Sequence, residues 1–106
     1  MSTVEIFGTD EFDEWFAGLE RAEKVAVIHV VGLLEEFGLR LGQPHSSALK
    51  GSRHGFRELR PKQGRSPIRI VYAFDPRRDA VLIIGGDKSK EPKFYERTIA
   101  RAETIL

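Results

Sequence analysis

Residues 68–74, IRIVYAF, restrict what this chain can fold into more than any other stretch, because they alternate strictly and carry a cation inside an otherwise apolar run. A period of two sends Ile68, Ile70, Tyr72 and Phe74 to one side and Arg69, Val71 and Ala73 to the other. Shorter strand-like runs flank it, GFRELR at 55–60 and AVLIIGG at 80–86. The connection 74–79 places Asp75 and Pro76 where a type I turn takes its first two residues. The expectation is three sequential antiparallel strands with 68–74 in the middle.

The preceding half reads as helical. Residues 4–7 suit a short first strand ending at Gly8. Thr9 or Asp10 is a natural N-cap, acids crowd the first turn, and Phe12, Trp15, Phe16 and Leu19 recur at helical spacing. A second helix is predicted over about 21–37, with Ala26, Val27, Val30, Val31, Leu33, Leu34 and Phe37 as its apolar face and Gly38 as its stop. Only residues 18–20 separate the two, so they form a helical hairpin packed on the sheet. Residues 39–52, with Gly, Pro and Ser, read as a surface connection. Pro92 fits the first turn of a last helix with an apolar stripe of Tyr95, Ile99, Ala102 and Leu106. The order β, α, α, β, β, β, α is that of an α+β fold with a small, mainly antiparallel sheet.

At 106 residues the chain has the size of one domain, and its 41% hydrophobic and 31% charged residues argue against disorder and against a membrane protein. The longest mostly apolar stretch, 25–34, is far below the about 20 residues a span requires. The N-terminus is acidic and lacks the pattern of a secretory signal, so the cytoplasm is the expected location. The absence of cysteine removes disulfides and thiolate metal sites. A net charge of +1 conceals −6 over residues 1–49, +7 over 50–93 and 0 over 94–106. A basic sheet beside an acidic hairpin points to a polyanion-binding face, with an ordinary solvated surface as the plainer reading.

Zinc spacings, a Walker loop, a dinucleotide fingerprint and a G-x-S-x-G elbow are all missing, so neither cofactor nor metal is expected. His29 lies at the edge of the second helix's apolar stripe and reads as a boundary residue. What remains is cationic: Arg57, Arg60 and Arg69 in strands, Lys62 and Arg65 between them, Lys88 and Lys90 beyond the third strand. Alternation puts Arg57 and Arg60 on opposite faces, and Arg60 is the one expected to share a groove with Arg69. A buried arginine requires a carboxylate or a bound phosphate. Both readings stay open for Arg69, the carboxylate candidate being Glu58. A histidine side chain suits acid or base work near neutrality, its reference pKa being about 6.5, which makes His54 a candidate that reads otherwise as a solvated loop residue.

The order LKGSRHGFRELRP, IRIVYAFDPRRDAVLIIGGDKS and a C-terminal helix carrying Tyr95 resembles the RelE/ParE superfamily of bacterial toxins, most closely its HigB-like, phage-derived branch. The resemblance implies a RelE-like fold and a toxin that enters the ribosomal A site and cuts mRNA without metal, through attack of a ribose 2′-hydroxyl on the adjacent phosphate. It implies Arg60, Arg69, Lys88 and Tyr95 as the catalytic set, with Tyr95 stacking a base or sharing in proton transfer unless it serves only to pack the helix. His54, Lys62, Arg65 and Lys90 would contact RNA. It further implies an antitoxin of helix-turn-helix type that contacts the hairpin and the rim of the basic sheet, with the ribosome and mRNA as further partners and no membrane. Glu58 stands where RelE proper has a basic residue, and Asp87 and Ser89 interrupt the cations beside Lys88. That departure favours an alternative, a ParE-like protein that inhibits a target such as DNA gyrase without cutting RNA. A basic RNA-binding module without activity is a further one.

Overall fold

Thr9 starts the first helix as its spacing predicts: its Oγ1 accepts a hydrogen bond from Phe12 N at 3.0 Å and donates one to Ile83 O at 2.6 Å, tying helix start to sheet. The computed structural model describes residues 4–106. In chain order these form strand β1 (Ile6–Gly8), helices α1 (Asp10–Ala17) and α2 (Arg21–Phe37), strands β2 (Ser46–Ala48), β3 (Arg57–Leu59), β4 (Ile68–Phe74) and β5 (Ala80–Asp87), and helix α3 (Phe94–Ile105). Short 3-10 turns follow α2 and β3, at Gly38–Arg40 and Pro61–Gly64. The strands lie in the order β1-β5-β4-β3-β2, all antiparallel except β1, which runs parallel to β5. This is the α+β architecture expected: a helical hairpin on a mainly antiparallel sheet with a C-terminal helix.

The alternation of β4 divides the core. Ile68, Ile70 and Tyr72 join Leu59, Leu82 and the hairpin residues Phe12, Val27, Val30 and Leu34 on one face. Val71 and Ala73 join Phe56, Ile83, Ile99 and Ala102 on the face covered by α3. Leu34 is fully buried, and burial of a side chain of that kind contributes about 1.5–3 kcal/mol. Pairing between β4 and β5 slips by one residue, Val71 opposing Ile84 while Tyr72 opposes Leu82. This bulge lets Ile83 and Ile84 both reach the α3 face. Past it, a Cβ on Gly85 would lie 2.3 Å from the Trp15 ring, and one on Gly86 would lie 2.7 Å from Phe94. Only glycine admits both aromatics against the two faces of β5.

Several expectations need correction. The stretch 39–52 is not only a surface connection: Ser46–Ala48 pairs with β3, and Ser46 is buried with its Oγ 2.5 Å from Tyr72 Oη. Two serines and an alanine carry no strand signal, so this edge exists through its partner. The first strand is Ile6–Gly8 rather than 4–7, because its ladder is dictated by Ala80, Val81 and Leu82 of β5. Helix α3 begins at Phe94, since Lys93 holds a left-handed backbone (φ 56°) that interrupts it after Pro92. Its buried stripe is Phe94, Thr98, Ile99 and Ala102, whereas Leu106 is exposed. The 74–79 connection turns as predicted, with Arg78 N donating to Asp75 O at 2.8 Å and Asp75 Oδ1 accepting from Arg77 N and Asp79 N.

Candidate functional site

Strand β3 sets out the site by simple alternation. Arg57 and Leu59 turn toward the hairpin, where Arg57 Nε donates to Ser46 Oγ and Tyr72 Oη. Glu58 therefore turns toward α3, as does Arg60 just past the strand, and β4 delivers Arg69 to the same place. Arg60, not Arg57, shares the face of Arg69.

The centre is the Glu58 carboxylate, 5% exposed. Its Oε1 accepts a hydrogen bond from Tyr95 Oη at 2.8 Å and lies 3.4 Å from Arg69 Nε. Its Oε2 accepts from Arg60 Nη2 at 3.1 Å and from Ser47 Oγ at 3.4 Å. Arg60 Nη2 also donates to Ser47 Oγ at 2.9 Å. Arg69 is almost fully buried and spends Nη1 on the carbonyl oxygens of Ser66 and Ile68. Two guanidinium groups, a carboxylate and a phenol thus meet across β3, β4 and α3. Of the two partners considered for Arg69, the carboxylate of Glu58 is beside it.

That network is satisfied unevenly. Arg69 Nε is close enough to Glu58 for charge attraction but not aligned for a hydrogen bond, and both Arg69 Nε and Arg60 Nε are buried donors without an acceptor among the described residues. Buried donors are usually matched, and Thr98 Oγ1 of α3 is a third buried polar atom without a partner among the described residues. Tyr95 is held by its surroundings. Burial pushes its pKa up, the hydrogen bond and charge of Glu58 push it further, and Arg69 offsets part of the rise. The phenol is consequently a neutral donor at neutral pH. Its position depends on Phe94, whose ring packs edge-on against it at 5.2 Å and occupies the space left by Gly86, the register partner of Arg69.

The remaining sequence candidates do not join the cluster. Lys88 is exposed just beyond β5, its backbone N donating to Pro67 O. Lys90 lies on the hairpin side, in a hollow with Glu11, Glu14 and Trp15. Lys62 faces α2, with Nζ 3.9 Å from Glu23 Oε1, and Arg65 is near it. The ring of His54 lies against Phe56, with centroids 5.3 Å apart. Sequence reasoning missed Ser47, because β2 carries no strand signal, and took Glu58 only as a partner of Arg69 rather than as the hub. Among the described residues no group of His, Asp and Glu is placed to hold a metal ion, and no helix is long and apolar enough to cross a membrane.

Residues 14–106 match the family described as Phage derived protein Gp49-like (DUF891). The chain is 38% identical over 100 residues to the toxin candidate HigB2 of Mycobacterium tuberculosis, an alignment covering 92% of this chain and 50% of that protein. It is 38% identical over 95 residues to the toxin candidate HigB3 of the same organism, covering 88% of this chain and 82% of the other. The chain therefore spans half the length of the first of these relatives. Among solved structures, the toxin–antitoxin complex RelBE2 from M. tuberculosis superposes with a TM-score of 0.65 at 18% identity, covering 85% of this chain and 97% of the matched one. An archaeal RelE–RelB complex from Pyrococcus horikoshii OT3 gives 0.62 at 14% identity, covering 84% and 99%. At such identities the likeness is one of fold.

Proposed function

This chain belongs to the phage-derived Gp49-like family, and from that premise we propose that it is the toxin of a toxin–antitoxin pair, a single-domain, metal-independent, ribosome-dependent mRNA endonuclease of the cytoplasm. Its partner is an antitoxin of helix-turn-helix type. The HigB relatives and the fold shared with RelE support the toxin role. The observation that carries the cutting activity is the pair of unmatched buried donors, Arg60 Nε and Arg69 Nε, beside one carboxylate and one neutral phenol. A phosphodiester supplies the oxygen acceptors that those donors lack.

The reaction then follows from the parts. The ribose 2′-hydroxyl loses its proton to Glu58, the O2′–P bond forms, and the P–O5′ bond breaks, leaving a 2′,3′-cyclic phosphate. The 5′-oxygen takes a proton from solvent and becomes a hydroxyl. Arg60 and Arg69 stabilise the charge that builds on the phosphoryl oxygens. The incoming phosphate draws Arg60 and Arg69 toward its own oxygens and leaves the Glu58 oxygens to the 2′-hydroxyl. Tyr95, 36% exposed, donates its hydroxyl hydrogen bond and offers a ring face for stacking. Lys88 extends the cationic track beyond β5.

Mapping RNA 5′ ends after induction tests this. New ends inside coding sequences are expected in translating cells, and Arg60→Ala lowers cleavage by about 10²-fold, the usual cost of removing one donor to a developing oxyanion. The burial of Arg69 and Glu58 favours a second reading, in which the ion pair stays closed and the chain inhibits a protein target such as DNA gyrase. Growth inhibition with a DNA-damage response and no new 5′ ends would overturn the first reading in favour of that one.

A further inference from the structure

Lys62 and Arg65 lie away from the Glu58 cluster, yet the fold gathers them with two histidines that the sequence separates widely. His29 of α2, His45 just before β2, and Lys62, Gln63 and Arg65 of the turn after β3 line one hollow of about 200 Å³ floored by Val30. Every polar lining side chain is a cation, an imidazole or an amide, and none is a carboxylate. Glu23, outside the lining, has its Oε1 3.9 Å from Lys62 Nζ while its Oε2 accepts from Ser66 Oγ at 3.2 Å. With Lys62 paired to that one carboxylate, Arg65 and the two imidazoles remain to face an anion.

The backbone supplies an independent observation. Lys62 and Gln63 are consecutive non-glycine residues in the left-handed region, with φ of 55° and 57°. Strained residues of this kind persist where the surroundings require them and cluster at ligand sites. Gly64, next in sequence at φ 87°, is where such a conformation is ordinarily placed. The strained pair instead carries two of the hollow's side chains.

We propose that this hollow is a second anion site, which takes a phosphate group of RNA on the hairpin side of the sheet, opposite the Glu58 cluster. Affinity for phosphate stands on the pocket alone, whereas RNA as the source rests on the toxin reading above. Two phosphate positions on opposite faces of one small sheet clamp a nucleic acid by its backbone and fix its orientation without reading bases.

The test uses the full chain and two probes, inorganic phosphate and a single-stranded 2′-O-methyl RNA oligonucleotide that cannot be cut. Saturable movement of the His29 and His45 ring-proton NMR signals is expected with each probe. Lys62→Gly combined with Arg65→Ala should weaken RNA binding by about tenfold or more and flatten its salt dependence by about one phosphate contact. Glycine at 62 adopts the observed φ without strain, so an unchanged melting temperature separates lost binding from lost folding. Movement with phosphate but not with RNA supports the pocket and assigns it to a small phosphorylated ligand. Histidine signals unmoved by either probe, or undiminished binding by the folded double variant, overturn the proposal. RNA 5′-end mapping scores the cutting activity separately, and Arg60→Ala should leave the histidine response to phosphate intact.

Discussion

The two faces of β4 carry side chains from one seven-residue strand and solve opposite problems. Toward the hairpin, Ile68, Ile70 and Tyr72 are covered by apolar residues of α1 and α2, and stability there scales with the area removed from water. Toward α3, Val71 and Ala73 do the same, but one pleat away Arg69 lies beside Glu58 with both side chains nearly dry. Desolvating two charges costs about as much as their attraction returns, so the pair is tolerated rather than strongly stabilising. The first face depends on volume. The second depends on each partner being present.

Removing one partner should therefore expose the difference most. Arg69→Ala leaves a carboxylate buried and is expected to cost about 3–5 kcal/mol in urea unfolding, of which an added Glu58→Leu recovers a large part. Leu34→Ala on the hairpin side is expected to cost about 2–5 kcal/mol, and no change at a second site recovers it except one that refills the space. If the two double-mutant cycles show equal coupling, the contrast between the faces fails.

A smaller effect sharpens it. Tyr95→Phe removes one hydrogen bond to Glu58 and should cost about 1 kcal/mol. Because the folded-state pKa of Tyr95 is raised above its ordinary 10.0, its contribution is complete below pH 10 and is lost as pH rises through the folded value. Wild-type stability should fall on that alkaline limb more steeply than that of Tyr95→Phe, and the difference in tyrosinate absorbance should appear above pH 10. A difference curve centred below 10 would contradict the Glu58 contact.

The strand alternation behind this comparison was legible in IRIVYAF, and so was the choice of Arg60 over Arg57, because a period of two leaves no freedom once the strand is placed. The rest was legible only in part. Nothing in Ser46-Ser47-Ala48 announces a strand, and its pairing comes from β3. Lys62 and Arg65 read as part of one cationic set with Arg60, but the turn at Pro61–Gly64 sends them to the other face. Backbone direction in a short irregular turn is decided by left-handed residues whose side chains give no warning.

The smallest expected effect lies at the sheet's end. Asp87 is held below its ordinary carboxyl pKa of 3.8 chiefly by the Ser89 hydroxyl, at 2.5 Å from its Oδ1. The contribution is present above pH 3.8 and is lost as pH falls through the lower folded value. Ser89→Ala should change stability by less than about 0.5 kcal/mol at neutral pH and should make the acid limb shallower. A change as large as that from Tyr95→Phe would place Asp87 and Ser89 within the cluster rather than outside it.

The parallel ladder between β1 and β5 has a consequence in time. Glu5 N donates to Asp79 Oδ1 across 74 residues of sequence, so the strand made first waits for one made much later. At a synthesis rate of roughly 5–20 residues per second, that wait is roughly 4–15 s. During that interval residues 10–37 have neither β4 nor β5 to lie on, and Phe12, Val27 and Leu34 lack the sheet residues they pack against. A nascent chain with this topology keeps the apolar residues of both helices uncovered until its last strands are made, which is the interval in which another protein could cover them.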